Sequence, residues 1–226
     1  MKTNIDMNWL LKLSDIEFNE NKLYLAGPFF NEEQIKWMEW LESTCDKYNV
    51  PYFSPRLHGY NLDLENPTPE NRKLVFRSDV EGAYGCGAVL ASLDWLLPIG
   101  QFSDETPDFI QQCTWGDDEY GWIPIEDKDL NIPDTGTVFE VGMMYGMNLI
   151  YNMMMDCEGE NTTAIIAYLT KPTKLVNLMI TDSVDAILPS KLAIEDFIHD
   201  WGKFPHERNE IITKLTKLYT WEGECQ

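Results

Sequence analysis

The chain has 226 residues, 44% hydrophobic and 24% charged, with eight tryptophans and ten each of tyrosine, phenylalanine and methionine, which is material for a packed core and excludes a disordered chain. Its formal charge of −21 disfavours a nucleic-acid polymer as partner, because phosphate backbones are held by Lys and Arg displacing counterions. No apolar run approaches the ~20 residues that span a bilayer, and Cys45, Cys86, Cys113, Cys157 and Cys225 make neither a CxxC pair nor an even disulfide framework. A cytoplasmic protein without membrane attachment is the expectation, since the short, mixed Trp9-Leu10-Leu11 patch is no signal peptide.

Residues 1–21 read as an N-terminal extension with a short helix around Trp9 to Leu13, and regular order is expected from Lys22. Leu23 to Ala26 is a short apolar run closed by Gly27-Pro28, the pattern of a buried parallel strand ending in a sharp turn. Asn31 with Gln34 makes a capping box, and Ile35, Met38, Leu41 and Cys45 recur at helical spacing to about Tyr48. Val50 to Ser54 reads as a second strand, followed by a polar loop from Pro55 to Pro69. Asn71 to Gly85 is a predicted helix, and Ala88 to Leu93 is the clearest buried strand.

The stretch from Trp95 to Pro133 holds four prolines, and between Asp104 and Asp129 it carries nine carboxylates against one base, Lys128. At this length it reads as an inserted loop or lid, or as a subunit contact. Asp134-Thr135-Gly136-Thr137 has the form of a helix start with Asp134 as N-cap, and the helix runs on to about Met155. Ala164 to Leu169 and Val184 to Leu188 read as strands, and Pro189 to Trp201 and Pro205 to Tyr219 as helices. Five strands separated by helices predict a flavodoxin- or Rossmann-like α/β domain over 22–226, a parallel sheet with an acidic insertion and C-terminal helices. Its ligands are expected at the carboxyl ends of the strands.

Three carboxylates fall where such a fold places its crevice: Asp79 in the helix before the third strand, Asp134 at the next helix start, and Glu140 one turn further on. Most of the chain's 38 acids face solvent, and Asp134 has an ordinary explanation as a cap. Glu140 is harder to explain away, because it interrupts the apolar run from Val138 to Met144. Gly136 and Gly142 flank it, and glycines there let either a ligand or a neighbouring helix come close. The histidines His58, His199 and His206 have no metal-ligand spacing.

Tyr24-Leu25-Ala26-Gly27-Pro28-Phe29-Phe30, Asp79 within Arg77-Ser78-Asp79-Val80-Glu81-Gly82, Asp134 to Gly142, and Asn177-Leu178-Met179 resemble, in order, the motifs of nucleoside 2-deoxyribosyltransferases. The resemblance spans about Lys22 to Leu188. It implies that Glu140 attacks C1′ and holds the deoxyribosyl group as an ester, that Asp79 handles protons on the nucleobase, and that Tyr24 orients the nucleophile. It further implies that Asp134 bonds a sugar hydroxyl, that Phe29 lies against the base, and that Gly27 and Gly136 belong to the substrate site. Asn177 would come from a neighbouring subunit, so the protein would be a homo-oligomer with shared sites. Deoxynucleosides and nucleobases would be the substrates, and no metal or organic cofactor would be needed. The family's terminal aromatic residue is replaced by Gln226.

The chemistry is that of retaining glycosidases, in which one carboxylate captures an oxocarbenium-like centre while a second carboxyl protonates the leaving group. An apolar surround of Phe29, Phe30 and Phe139 is expected to raise the pKa of Asp79. Two alternatives stay open: a deoxynucleoside 5′-monophosphate N-glycosidase, and a non-catalytic acidic protein that occupies a basic partner.

Overall fold

Burial on both faces organises the centre of the molecule. The computed structural model describes residues 7–13, 15–60, 68–94, 134–155, 163–169, 175–176, 178–204, 206–219 and 224–225. Its strands, in chain order, are β1 (Asn19–Ala26), β2 (Tyr52–Phe53), β3 (Cys86–Ser92), β4 (Ala164–Tyr168), β5 (Leu175–Val176), β6 (Ala186–Leu188) and β7 (Glu224–Cys225). Five of them form one sheet in the order β2-β1-β3-β4-β6, and every neighbouring pair is parallel. β5 and β7 pair separately, an element the sequence reading does not anticipate.

The helices are α1 (Met7–Leu13), α2 (Glu32–Lys47), α3 (Pro55–His58), α4 (Pro69–Tyr84), α5 (Thr135–Met155), α6 (Leu178–Thr181), α7 (Lys191–Lys203) and α8 (Arg208–Leu218). Alternation along the strands sorts them into two layers. Leu23, Leu25, Leu90, Ile166 and Leu188 pack with α2, α7 and α8 through Met38, Leu41, Phe197, Trp201 and Ile211. Tyr24, Ala26, Val89, Ala91 and Ile165 pack with α4 and α5 through Ala83, Val141 and Met144. The expected α/β architecture of a five-stranded parallel sheet between helices is the one observed. Strand order reverses between β1 and β3, which opens the crevice of a doubly wound sheet beyond their carboxyl ends.

α1 lies where a short helix was expected, and β1 starts earlier than Lys22, running from Asn19. Asn19 donates its amide to Gly85 O at 3.0 Å and pairs with Cys86 across an irregularity that ends at Leu23. Gly87 makes this passage possible, because a Cβ there would lie 1.8 Å from Glu20 O. The loop expected from Pro55 to Pro69 opens with α3, begun by Pro55 and by the amides of Leu57 and His58 on Ser54 O. The capping box at α2 closes one residue early: Asn31 Oδ1 accepts from the Gln34 amide at 3.0 Å, while Gln34 Oε1 accepts from Phe30 N rather than Asn31 N. The insertion 95–133 and Asn177 lie outside the described residues.

Candidate active site

Tyr24 sits on β1 with its side chain on the α4–α5 layer and is fully buried. Its register partner on β2 is Phe53, and the two rings stack with centroids 5.6 Å apart and planes 7° apart. Gly82 on α4 leaves room for that ring, since a Cβ there would fall 2.5 Å from Phe53 Cε1. So held, the Tyr24 hydroxyl donates a hydrogen bond to Glu140 Oε1 of α5, joining residues 116 apart in sequence. Phe53 is the contributor that sequence reasoning missed. The signal was its place on a neighbouring strand, but its pairing with Tyr24 becomes visible only once register is known.

Burial pushes the half-buried Glu140 carboxyl from its ordinary 4.5 up to about 8; the Tyr24 hydrogen bond opposes this, and the charges of Asp79 and Asp134 add to it. Burial also raises Asp79 on α4 from 3.8 to about 6. Tyr24 is driven far above the usual tyrosine range by burial first and by the Glu140 and Asp79 charges next, so it remains a neutral donor. The expected rise at Asp79 therefore occurs, yet the larger rise is at Glu140. Phe30 and Phe139 are 69% and 51% exposed, and Phe139 reaches the helix that carries Asp79 through Phe76, with ring centroids 5.8 Å apart.

Asp134 behaves as its cap position dictates. Its Oδ2 accepts from Thr137 N at 2.8 Å and from Thr137 Oγ1 at 3.1 Å. A Cβ at Gly136 would lie 2.9 Å from the same oxygen, so that glycine makes space for the cap while the Asp134 charge still reaches Glu140. Gly27 follows β1 at the strand-order reversal, where a Cβ would meet Met38 Sδ at 3.2 Å and Ser92 Cβ at 3.3 Å. Phe29 packs with the α2-side core and stacks on Phe30 at 5.7 Å, so it is not in the cluster that holds Tyr24. The structure thus brings Tyr24 and Glu140 into contact with Asp79 and Asp134 in electrostatic range, and sets Gly27 and Phe29 at the end of β1.

Among the described residues no group of three or more His, Cys, Asp or Glu is arranged to hold a metal ion, and no helix is long and apolar enough to cross a membrane. A doubly wound sheet with two desolvated carboxyls and a neutral tyrosine donor can hold one proton between the acids near neutral pH, which is the requirement of paired acid and nucleophile chemistry.

No family model and no curated relative matches the sequence. Among solved structures, the chain is similar to the 2-deoxyribosyltransferase of the psychrotolerant bacterium Bacillus psychrosaccharolyticus, at 24% identity over 77% of this chain and 90% of that one, with a TM-score of 0.45. It is also similar to a conserved protein from Enterococcus faecalis V583, at 14% identity over 81% of this chain and 98% of that one, with a TM-score of 0.50. At such identities the likeness is one of fold.

Proposed function

We propose that the protein transfers the 2-deoxyribosyl group between nucleobases, cleaving the N-glycosidic bond of 2′-deoxynucleosides through an ester on Glu140. The observation that carries this reading is the part-buried Tyr24–Glu140 hydrogen bond, with a second desolvated acid, Asp79, whose charge reaches Glu140. In the first half-reaction the C1′–N bond breaks, a Glu140 oxygen bonds to C1′, and Asp79 gives its proton to the departing base. In the second, Asp79 takes a proton from the incoming base as its nitrogen displaces Glu140.

The resting pair holds one proton near neutral pH, and the larger pKa puts it on Glu140. Positive charge developing at C1′ favours the Glu140 anion, the Tyr24 donor stabilises it, and the proton passes to Asp79. The singly protonated pair is then the active form, so kcat/KM follows a bell with its lower limb near about 6, from Asp79, and its upper limb near about 8, from Glu140. Asp134 bonds a sugar hydroxyl through the oxygen not engaged in its cap, Gly27 and Gly136 let the substrate approach the backbone, and Phe29 lies against the base. Asn177 comes from a second copy of the chain. Support for a second copy is the outer face of α5, where Phe139, Leu149, Ile150 and Met153 are exposed and a Cβ at Gly142 or Gly146 would meet nothing within 4 Å among the described residues.

A monophosphate-specific hydrolase would require a phosphate cradle near Asp134 to Glu140, a stretch with no Arg or Lys, and the Thr137 amide and hydroxyl are both committed to Asp134. Incubation with deoxyinosine and adenine is expected to yield deoxyadenosine, with a deoxyribosyl adduct on the protein in mass spectra that Glu140→Ala lacks. Free deoxyribose without deoxyadenosine would move the assignment to a hydrolase, and the absence of adduct and turnover across a panel of deoxynucleosides would overturn it.

A further inference from the structure

α1 precedes the segment that resembles the transferases, yet it packs against the helix that carries Asp79. The half-buried Trp9 donates its indole N–H to Glu81 Oε1 of α4 at 2.7 Å. Its ring meets Phe76 with centroids 6.0 Å apart and planes at 52°, and the Arg77 guanidinium lies over the ring at 5.3 Å. One side chain thus grips α4 both before and after Asp79. Ile16 carries the hold to the helix end, where a Cβ at Gly85 would lie 3.2 Å from Ile16 Cγ2. Phe76 in turn meets Phe139 of α5 at 5.8 Å, and Phe139 is the chain neighbour of Glu140. The line Trp9–Phe76–Phe139 therefore runs from the N-terminal helix across α4 to the turn of α5 that holds the other acid.

We propose that Trp9 is a positioning residue, which fixes the rotation of α4 and so the placement of Asp79 relative to Glu140. Its meaning for catalysis rests on the deoxyribosyl-transfer reading; the placement itself does not. Arg77 and Glu81 each stand two positions from Asp79, about 200° around a helix of ~3.6 residues per turn. Trp9 therefore holds the flank turned away from the acid and acts through the helix. The buried Val80 and Ala83 seat α4 in its layer, and a grip on the flank resists rolling about that seat. Small rolls matter, because a misplacement of about 1 Å at a reacting group can cost about 10²-fold in rate.

Carbon-13 NMR of the Asp79 carboxyl in the full chain reads that placement without substrate. Burial holds this group at about 6 against an ordinary 3.8, so a rolled helix that admits water moves its midpoint down. Trp9→Phe keeps a ring and loses the N–H, and is expected to lower the midpoint by about half a unit; Trp9→Ala should lower it by about one. Glu81→Gln and Glu81→Leu lose the same charge, but only glutamine still accepts from the indole. Leucine is expected to follow Trp9→Phe, and glutamine to stay near wild type. Trp201→Phe removes an indole bond in the opposite layer, to Asn21 O at 3.0 Å, and is expected to leave the midpoint in place. In the transfer assay, kcat of Trp9→Ala should fall about tenfold while KM stays within about twofold, since Trp9 does not meet the substrate. Should Trp9→Ala unfold, Trp9→Phe and the Glu81 pair carry the test. A midpoint unmoved by the Trp9 variants, or moved as far by Trp201→Phe, would overturn the proposal. A midpoint that moves in a protein showing no transfer upholds the role of Trp9 and removes the transferase reading.

Discussion

Replacing Glu140 by glutamine should stabilise the folded chain in alkali. Burial lifts this carboxyl from 4.5 to about 8, and at about 1.4 kcal/mol per unit its ionisation costs the fold on the order of 5 kcal/mol beyond its cost in the unfolded chain. Because the folded pKa lies above the unfolded one, the stability tied to the protonated group is complete below about pH 4.5. It drains away as the pH rises through about 8. Glutamine never ionises, and its amide oxygen still accepts from Tyr24. Urea unfolding of wild type and Glu140→Gln at pH 5 and pH 9 measures the effect as a double difference, in which the general repulsion of a chain at −21 cancels. The wild type is expected to lose several kcal/mol more than the variant between the two pH values, on the order of the ionisation cost. Parallel pH profiles would refute the claim that Glu140 is desolvated in the fold.

Tyr24→Phe removes the donor that favours the Glu140 anion, so kcat/KM should fall about 10- to 100-fold, the worth of a hydrogen bond to a charged group, with the upper limb of the pH–rate profile moving to higher pH. Asp79→Asn should cut transfer from deoxyinosine by about 10²-fold or more and lower the pH at which Glu140 titrates, followed by carbon-13 NMR of its carboxyl. Asp134→Ala should cost about 1 kcal/mol of stability as a lost cap, whereas Asp134→Asn should melt like wild type in a thermal scan and still lose turnover.

The parallel sheet was readable because strands covered on both faces are continuous apolar runs, as at Ala88–Leu93 and Leu23–Ala26, bounded by turn residues. The edges were less readable. Asn19 to Lys22 is polar and extends β1 without an apolar run to mark it, and α3 hides in a loop-like sequence because Pro55 opens helices as readily as it breaks them. The cap at Asp134 was legible from Asp-Thr-Gly-Thr alone, since its chemistry is local. The stack of Phe53 on Tyr24 was not, because register between strands joined by a crossover is a property of the folded sheet. Nor could sequence rank the two acids: burial of one helix turn depends on what packs over it, and Glu140 proves the more perturbed.

The hydroxyl that touches Glu140 hangs from the buried half of β1, Leu23 to Ala26, among the last parts of a domain to exchange amide hydrogens with solvent. Fraying of the polar start of β1, Asn19 to Lys22, does not reach it, so release from the strand side requires opening of the central sheet. The acid pair and the whole domain should therefore fail at one denaturant concentration, and gentle loosening of the periphery should leave the Tyr24–Glu140 contact intact.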